Sequence, residues 1–365
     1  MFQVDEKSRD VTSWTSELLS HFMLRARADA WLYLAVAFYF IGGVLLITFS
    51  GHAEVMSFSL YFDQWTFLFL IFMPLTAVVV DYAWIIFRFE AKRSLAARKA
   101  FSPQRLAHLF SGMALLMALM IFQGTFTSIK NLLPILRGGF VYDHMLANAD
   151  ALLSFGPDPV KILQSIRVVG IMDWNYSILW FILCFGTLFF VATSPRAASI
   201  RVRYISMFMF VWVVCGNILA AIFMSAGPAF YGAVTGDHER FAALLAFLSS
   251  PDGPLLARSF QGYLWSLHQG GTSGLGSGIS AFPSVHVGLI ALNAFFAFDL
   301  SRRFGVLAVC YTAFVMLSSV CLGWHYAVDG YASLILVGAA HYGLKALRER
   351  RPTPSRAPDG ATVTP

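Results

Sequence analysis

Charge is scarce in this chain. Asp, Glu, Lys and Arg together make up 13% of its 365 residues, while 58% are hydrophobic and 35 are phenylalanine. A soluble domain has too little interior to hide that much apolar surface, so a soluble enzyme or a surface-binding module is excluded. Cysteine is also rare. Cys184, Cys215, Cys310 and Cys321 all fall inside apolar runs without the spacing of a metal site, and they read as small packing residues. No removable leader is expected, because Asp5, Glu6, Lys7, Arg9 and Asp10 precede any long apolar run. Internal repeats are missing. The net charge of +6 would suit nucleic acid, but the distribution of the basic residues points elsewhere.

What the chain has in abundance is apolar runs of bilayer length. Candidate spans fall at 31–49, 65–87, 107–129, 174–193, 204–226, 283–300, 304–322 and 327–347. The expected fold is therefore all-α, a polytopic helical membrane protein with about eight transmembrane helices. Residues 1–30 carry Trp14, Leu18, Leu19, Phe22 and Met23 at helical spacing, followed by Arg25 and Arg27. They are expected to form a cytoplasmic amphipathic segment. Residues 31–347 form the membrane-embedded domain. Residues 348–365, rich in Pro, Thr and Ala, are expected to form a disordered cytoplasmic tail.

The basic residues orient the spans. One side carries Lys7 to Arg27, the stretch from Arg88 to Arg105, Arg196 to Arg203, Arg302-Arg303 and Lys345 to Arg356. The other holds only Lys130, Arg137, Lys161, Arg167, Arg240 and Arg258. The positive-inside rule then puts both termini in the cytoplasm. Two long outer loops follow. Residues 130–173 contain Tyr142, Asp143, His144 and a turn at Phe155-Gly156-Pro157-Asp158-Pro159. Residues 227–282 end in the glycine-rich run from Gly270 to Gly278. Asp81 and Asp299 lie near cytoplasmic span ends and are expected to pair or snorkel there, and His341 reads as structural.

Two stretches stand out on that background: Phe282-Pro283-Ser284-Val285-His286 and His325-Tyr326-Ala327-Val328-Asp329. Ionisable groups at the ends of membrane spans are costly and mark function. The topology brings both stretches to the outer face. His325 and Asp329, four apart, share one helical face, so Asp329 can fix the imidazole tautomer and leave one nitrogen free to attack. His286 can move a proton across the bound group. Two histidines with different tasks suit attack at phosphorus. For phosphate, Pro283 suits the first helical position with free amides beside it, Ser284 adds a hydroxyl, and the glycine run could wrap an anion. His, His and Asp are also metal ligands. With no further acidic or Cys ligand nearby, the metal reading ranks below phosphoryl transfer.

Ala281-Phe282-Pro283-Ser284-Val285-His286 and Gly323-Trp324-His325-Tyr326-Ala327-Val328-Asp329 resemble the second and third motifs of the type 2 phosphatidic acid phosphatase superfamily, P-S-G-H and S-R-x5-H-x3-D. The phrasing F-P-S-x-H and H-Y-x-V-D is most similar to its inositol phosphorylceramide synthase branch. The resemblance covers the last third of the chain and implies the family's helical core. It implies a metal-independent enzyme, without a cofactor, working through a phosphohistidine. In it His325 would be nucleophile, Asp329 its orienting partner and His286 the general acid. The substrate would be a phospholipid or sphingolipid, not nucleic acid.

The chain departs from the pattern at Ser319, where the third motif has arginine, and the synthase branch also lacks this arginine. The first motif, K-x6-R-P, is echoed by Lys130 and Arg137 with Gly138 in place of proline, in an earlier outer loop than the family places it. At the family's position stands Gly227-Pro228-Ala229-Phe230-Tyr231, which is similar to a synthase segment and makes Arg240 and Arg258 alternative phosphate ligands. Tyr142 and Asp143 also resemble the synthase branch. The expected function is a lipid phosphotransferase acting on a lipid or polyol hydroxyl. With water as acceptor the same residues would make a phosphatase. A non-enzymatic transporter is the reading from another class. It calls for ionisable groups at mid-membrane and paired broken helices, which the sequence does not show.

Overall fold

The computed structural model describes residues 3–88, 92–153 and 168–349. Among them every regular element is helical. In chain order the principal helices are α1 (Gln3–Ala28), α2 (Ala30–Phe49), α3 (Ala53–Arg88), α4 (Pro103–Arg137), α5 (Asp143–Leu153), α6 (Val169–Thr193) and α7 (Arg201–Ile222). They continue as α8 (Leu255–Gly270), α9 (Val285–Leu300), α10 (Arg302–Cys321) and α11 (Ala327–Glu349).

Six helices among the described residues are long and apolar enough to cross a membrane: α2, α3, α4, α6, α7 and α10. The other two expected spans are helical but do not meet that standard. The 16 residues of α9 rise only about 24 Å, short of a hydrocarbon core about 30 Å thick. α11 has 23 residues but bears Asp329, His341 and Lys345. The membrane-facing side is legible in α2 and α3, where Phe38, Phe49, Trp84 and Phe87 are exposed along apolar helices. Such a surface is stable only against lipid.

The central helix is α4. Ser102 caps it by accepting from the Arg105 amide, and Gly138, at φ 68°, stops it in the left-handed conformation that favours glycine. The helix therefore runs to Arg137, well past the expected end at residue 129. Lys130 and Arg137 ride on its last two turns and not in a loop. α1, α2, α3, α6 and α7 all pack against α4. The packing of α1 is reinforced by a buried ion pair between Asp29 and Arg201, 2.7 Å apart. Thus Gln3–Ala28 is helical, as expected, and packs on the bundle.

α9, α10 and α11 form a second layer, joined by the tight turn at Ser301 and a short turn at Leu322–Tyr326. Arg105 bonds Asp81 at 3.1 Å, and Asp299 is held by Arg203 and Lys345, so both aspartates find cationic partners at the bundle end opposite the two histidine motifs. His341 is buried and stacked on Phe295. The expected long loop at 227–282 is largely helical, with α8 as its main element. Asp173 at the start of α6 caps α8 by accepting from the Leu256 and Ala257 amides, at 2.8 Å each. The turn expected at 155–159 and the tail after Arg351 lie outside the described residues.

Three of the spans contain widened, π-type turns: Leu68–Phe72 in α3, Asn175–Leu179 in α6 and Val211–Leu219 in α7. Such turns re-aim side chains and recur at functional sites. Here those of α6 and α7 present Tyr176, Ser177 and Trp212 to one cavity.

Candidate active site

His325 sits in the turn between α10 and α11. The Ser319 carbonyl, left free at the end of α10, accepts from the amides of Trp324 at 2.9 Å and His325 at 3.3 Å. Gly323 makes the reversal at φ 74°. α11 then begins, and Asp329 lies in its first turn, fully buried. Its Oδ2 accepts from the Tyr326 amide at 3.0 Å and lies 3.2 Å from Nδ1 of His325. The four-residue spacing thus brings the pair together. The carboxylate holds Nδ1 and leaves Nε2 as the nitrogen available for chemistry.

Ser284 is the N-cap of α9. Its hydroxyl accepts from the Val287 amide at 3.3 Å. The helix therefore starts at Val285, and Pro283 stands outside it instead of at the first helical position. Because the Ser284 hydroxyl is spent on its own helix and the residue does not line the cavity, it is not placed to bind phosphate. It ties the two motifs together instead: its amide donates to the Asp329 carbonyl at 3.2 Å. The Ser333 hydroxyl lies 2.8 Å from the Ser284 carbonyl and 2.9 Å from that of Asp329.

His286 follows in the first turn of α9. Its ring centroid is 6.4 Å from that of His325. The imidazole stacks on Tyr176 at 4.7 Å and on Trp180 at 3.9 Å, and the Trp180 indole donates to the His286 carbonyl at 3.0 Å. Sequence reasoning missed both aromatics. The signal was there, since Tyr176 and Trp180 are four apart on one face of a span entering at the same end.

The two histidines open onto a cavity of about 400 Å³. Lys130 lines it beside them, as do Trp324 and the backbone of Gly276 and Gly278. Gly278 has φ 91°, and a Cβ there would stand 2.8 Å from the Lys130 side chain, so the glycine lets the loop close over the lysine. Asn131 anchors the same loop through the hydroxyls of Ser273 at 3.1 Å and Ser277 at 2.8 Å. Aromatic side chains supply much of the remaining wall: Trp65 of α3, Phe126 of α4, Phe181 and Phe185 of α6, Trp212 of α7.

Four expected ligands are not brought to this cavity. Arg137 is exposed at the end of α4, directed at the Ile222 carbonyl 3.5 Å away. Arg240 bonds Asn148 at 2.7 Å over the Tyr231 ring, and Arg258 bonds the Ser249 carbonyl at 3.2 Å. Asp143 is fully buried and accepts from the Ala226 amide at 2.7 Å, the Gly227 amide at 2.9 Å and the Tyr326 hydroxyl at 2.7 Å. Burial pushes its carboxyl above the usual range, against the pull of those donors. Asp143 thus braces the residue next to His325 without facing the cavity.

Among the described residues no group of three or more His, Cys, Asp or Glu side chains is arranged to hold a metal ion. A family model described as the PAP2 superfamily matches residues 146–343, a little over half of the chain. No curated protein and no solved structure matches it.

Proposed function

The chain belongs to the PAP2 superfamily and is a membrane enzyme of phosphatase or phosphotransferase type; from that premise we propose that it moves a phosphate-bearing headgroup onto a lipid or polyol hydroxyl through a phosphohistidine on His325. The observation that carries this reading is the cavity itself. Two histidines 6.4 Å apart stand at one end of it, one of them oriented by a buried aspartate, with Lys130 beside them and aromatic walls beyond.

In the first half-reaction, Nε2 of His325 attacks phosphorus. The P–N bond forms as the bond to the leaving oxygen breaks, and protonated His286 gives its proton to that oxygen. Asp329 stabilises the cationic ring that results. Lys130 and the Trp324 indole N–H face the charge growing on the phosphoryl oxygens, in place of the arginine absent at Ser319. In the second half-reaction, neutral His286 takes the proton of the acceptor hydroxyl, its oxygen attacks phosphorus, and the P–N bond breaks. Aromatic walls exclude water and favour a lipid acceptor, which supports transfer over hydrolysis. The F-P-S-x-H and H-Y-x-V-D phrasing points to a synthase of the inositol phosphorylceramide type. The crowding of basic residues at the opposite end of the bundle supports an extracytoplasmic active site with both termini cytoplasmic.

The test uses purified protein in detergent with a chelator present. A radiolabelled phosphate-bearing lipid is offered, the reaction is quenched in alkali, and label is sought on the protein. Wild type is expected to carry alkali-stable label and His325→Ala none. Chasing the label with water, or with ceramide and other hydroxyl acceptors, then divides hydrolysis from transfer. Activity that returns only with added metal, and no label in either protein, would overturn the phosphohistidine.

A further inference from the structure

The far part of the cavity contains two hydrogen-bond donors with nothing to donate to. Gln123 on α4 is 2% exposed, and its Nε2 has no partner. Trp212, in the widened turn of α7, has an indole N–H in the same condition. Both residues line the chamber, and Phe126, one turn along α4 from Gln123, stacks edge-on against Trp212 at 4.7 Å. On the same face of α4 the Thr127 hydroxyl is paired: it lies 2.5 Å from that of Tyr61, which also accepts from the Gly276 amide. A buried donor left unpaired costs about 1–3 kcal/mol, and natural interiors rarely tolerate one without a use.

Their position gives the use. Gln123 and Lys130 are seven residues apart, two turns of one helix face, so the rise between them is about 10 Å. Phe126 lies between them on α4, and Phe181, Phe185 and Trp65 line the same chamber. One end of the chamber suits a phosphate, aromatic side chains line it, and away from the histidines Gln123 and Trp212 offer two unpartnered N–H groups from different helices. A carbonyl oxygen has two lone pairs and no proton, so it can accept from both.

We propose that Gln123 and Trp212 form a subsite for the acyl carbonyl, ester or amide, of a lipid whose phosphate lies at Lys130, His286 and His325. This rests on the phosphotransfer reading for the phosphate end. It adds that α4, outside the family-matched residues, selects acylated lipids over ether lipids.

The experiment measures binding, independent of turnover. Non-transferable phosphonate analogues of a diacylglycerol phosphate, a ceramide phosphate and a dialkyl ether lipid of equal chain length are titrated into the full chain in detergent, read by intrinsic tryptophan fluorescence. Wild type is expected to bind at least one carbonyl lipid about tenfold more tightly than the ether. The stronger of ester and amide names the backbone the chamber prefers. In Gln123→Leu and Trp212→Phe that preference shrinks severalfold. Equal binding of all three lipids by wild type, which needs no variant, would overturn the subsite. A carbonyl preference without any labelled intermediate in the alkali-quench assay would sink the phosphohistidine and leave the subsite standing. Label with equal binding would do the reverse.

Discussion

The network behind the two histidines and the polar groups on the α4 and α7 wall are held differently. At the histidine end, Asp329 is engaged by His325 and Tyr326, and Ser333 bridges the two motif backbones. Asp143 gathers the amides of Ala226 and Gly227 with the Tyr326 hydroxyl. At the far end, Gln123 and Trp212 hold donors in reserve inside an aromatic wall. Closed networks fix geometry before the substrate arrives, and this is where positioning lowers a barrier. Open donors wait for the ligand's own acceptor and so discriminate between ligands. With the proposed subsite, one cavity would separate rate from choice, and the variants below should separate them too.

The largest effects belong to the histidine end. His325→Ala is expected to remove the covalent intermediate and lower kcat by about 10³-fold or more, since among the described residues His286 is the one other imidazole lining the cavity. His286→Ala is expected to cost about 10²–10⁴-fold in kcat. It should cost less with a donor whose leaving group is acidic, because such a group needs no proton. An equal loss with both donors would take His286 out of the acid role. Asp329→Asn keeps the shape yet turns an acceptor of two hydrogen bonds into a group that can present N–H to Nδ1. By analogy with other His–carboxylate pairs, kcat is expected to fall by about 10²–10⁴-fold. The variant should still fold, which a melting curve checks.

These strong expectations were also the legible ones. His325 and Asp329 meet because they are four apart at a helix start, a relation that is local and written in the chain. His286 needed only the alternation of spans to reach them. What the sequence hid is non-local. Arg240 and Arg258 are the nearest cations after the Gly227–Tyr231 segment in sequence, but the fold carries them to Asn148 and to the Ser249 carbonyl. α8 itself passed for loop because its apolar residues cover one face of only 16 residues. In sequence Lys130 closes the apolar run of 107–129 and reads as the start of an outer loop. Gly138 shows that the helix ends later, and the lysine turns inward. The same face of α4 carries Gln123 and Thr127, at spacings of four and three residues, a readable polar stripe on an apolar helix.

Lys130 sharpens the comparison because it stands at the histidine end on the same α4 face as Gln123. Lys130→Ala is expected to lower kcat/KM by about 10- to 100-fold by removing a charge from the phosphoryl oxygens. Lys130→Arg should recover part of it. If kcat/KM is unchanged in the alanine variant, the phosphate is held elsewhere and the registry of the whole chamber shifts with it.

Asp143 should act on the fold more than on the chemistry. Asp143→Ala leaves the Ala226 and Gly227 amides and the Tyr326 hydroxyl unpaired, at about 1–3 kcal/mol for a buried orphan. A lower melting temperature is expected. Tyr326→Phe removes one bond and should cost about 1 kcal/mol. A Tyr326→Phe variant with a wild-type melting curve but a large loss of kcat would show that the Asp143 brace serves His325 directly.

The smallest effect is the most pointed test of the cavity's boundary. Arg258 lies between the two motifs and the Gly227-Pro228 segment in sequence, and its charge would suit a phosphate. Its guanidinium instead caps the Ser249 carbonyl on an exposed surface. Exposed hydrogen bonds of this kind contribute within about 0.5 kcal/mol. Arg258→Ala is therefore expected to leave KM for the phosphate-bearing lipid within twofold of wild type. Lys130→Ala, of equal charge change, should raise it or lower kcat. The pair is informative because both variants remove one positive charge from the same end of the bundle. A general loss of attraction for an anionic lipid would move both alike, and only a site bounded by α4, the glycine-rich loop and the two histidines moves one without the other.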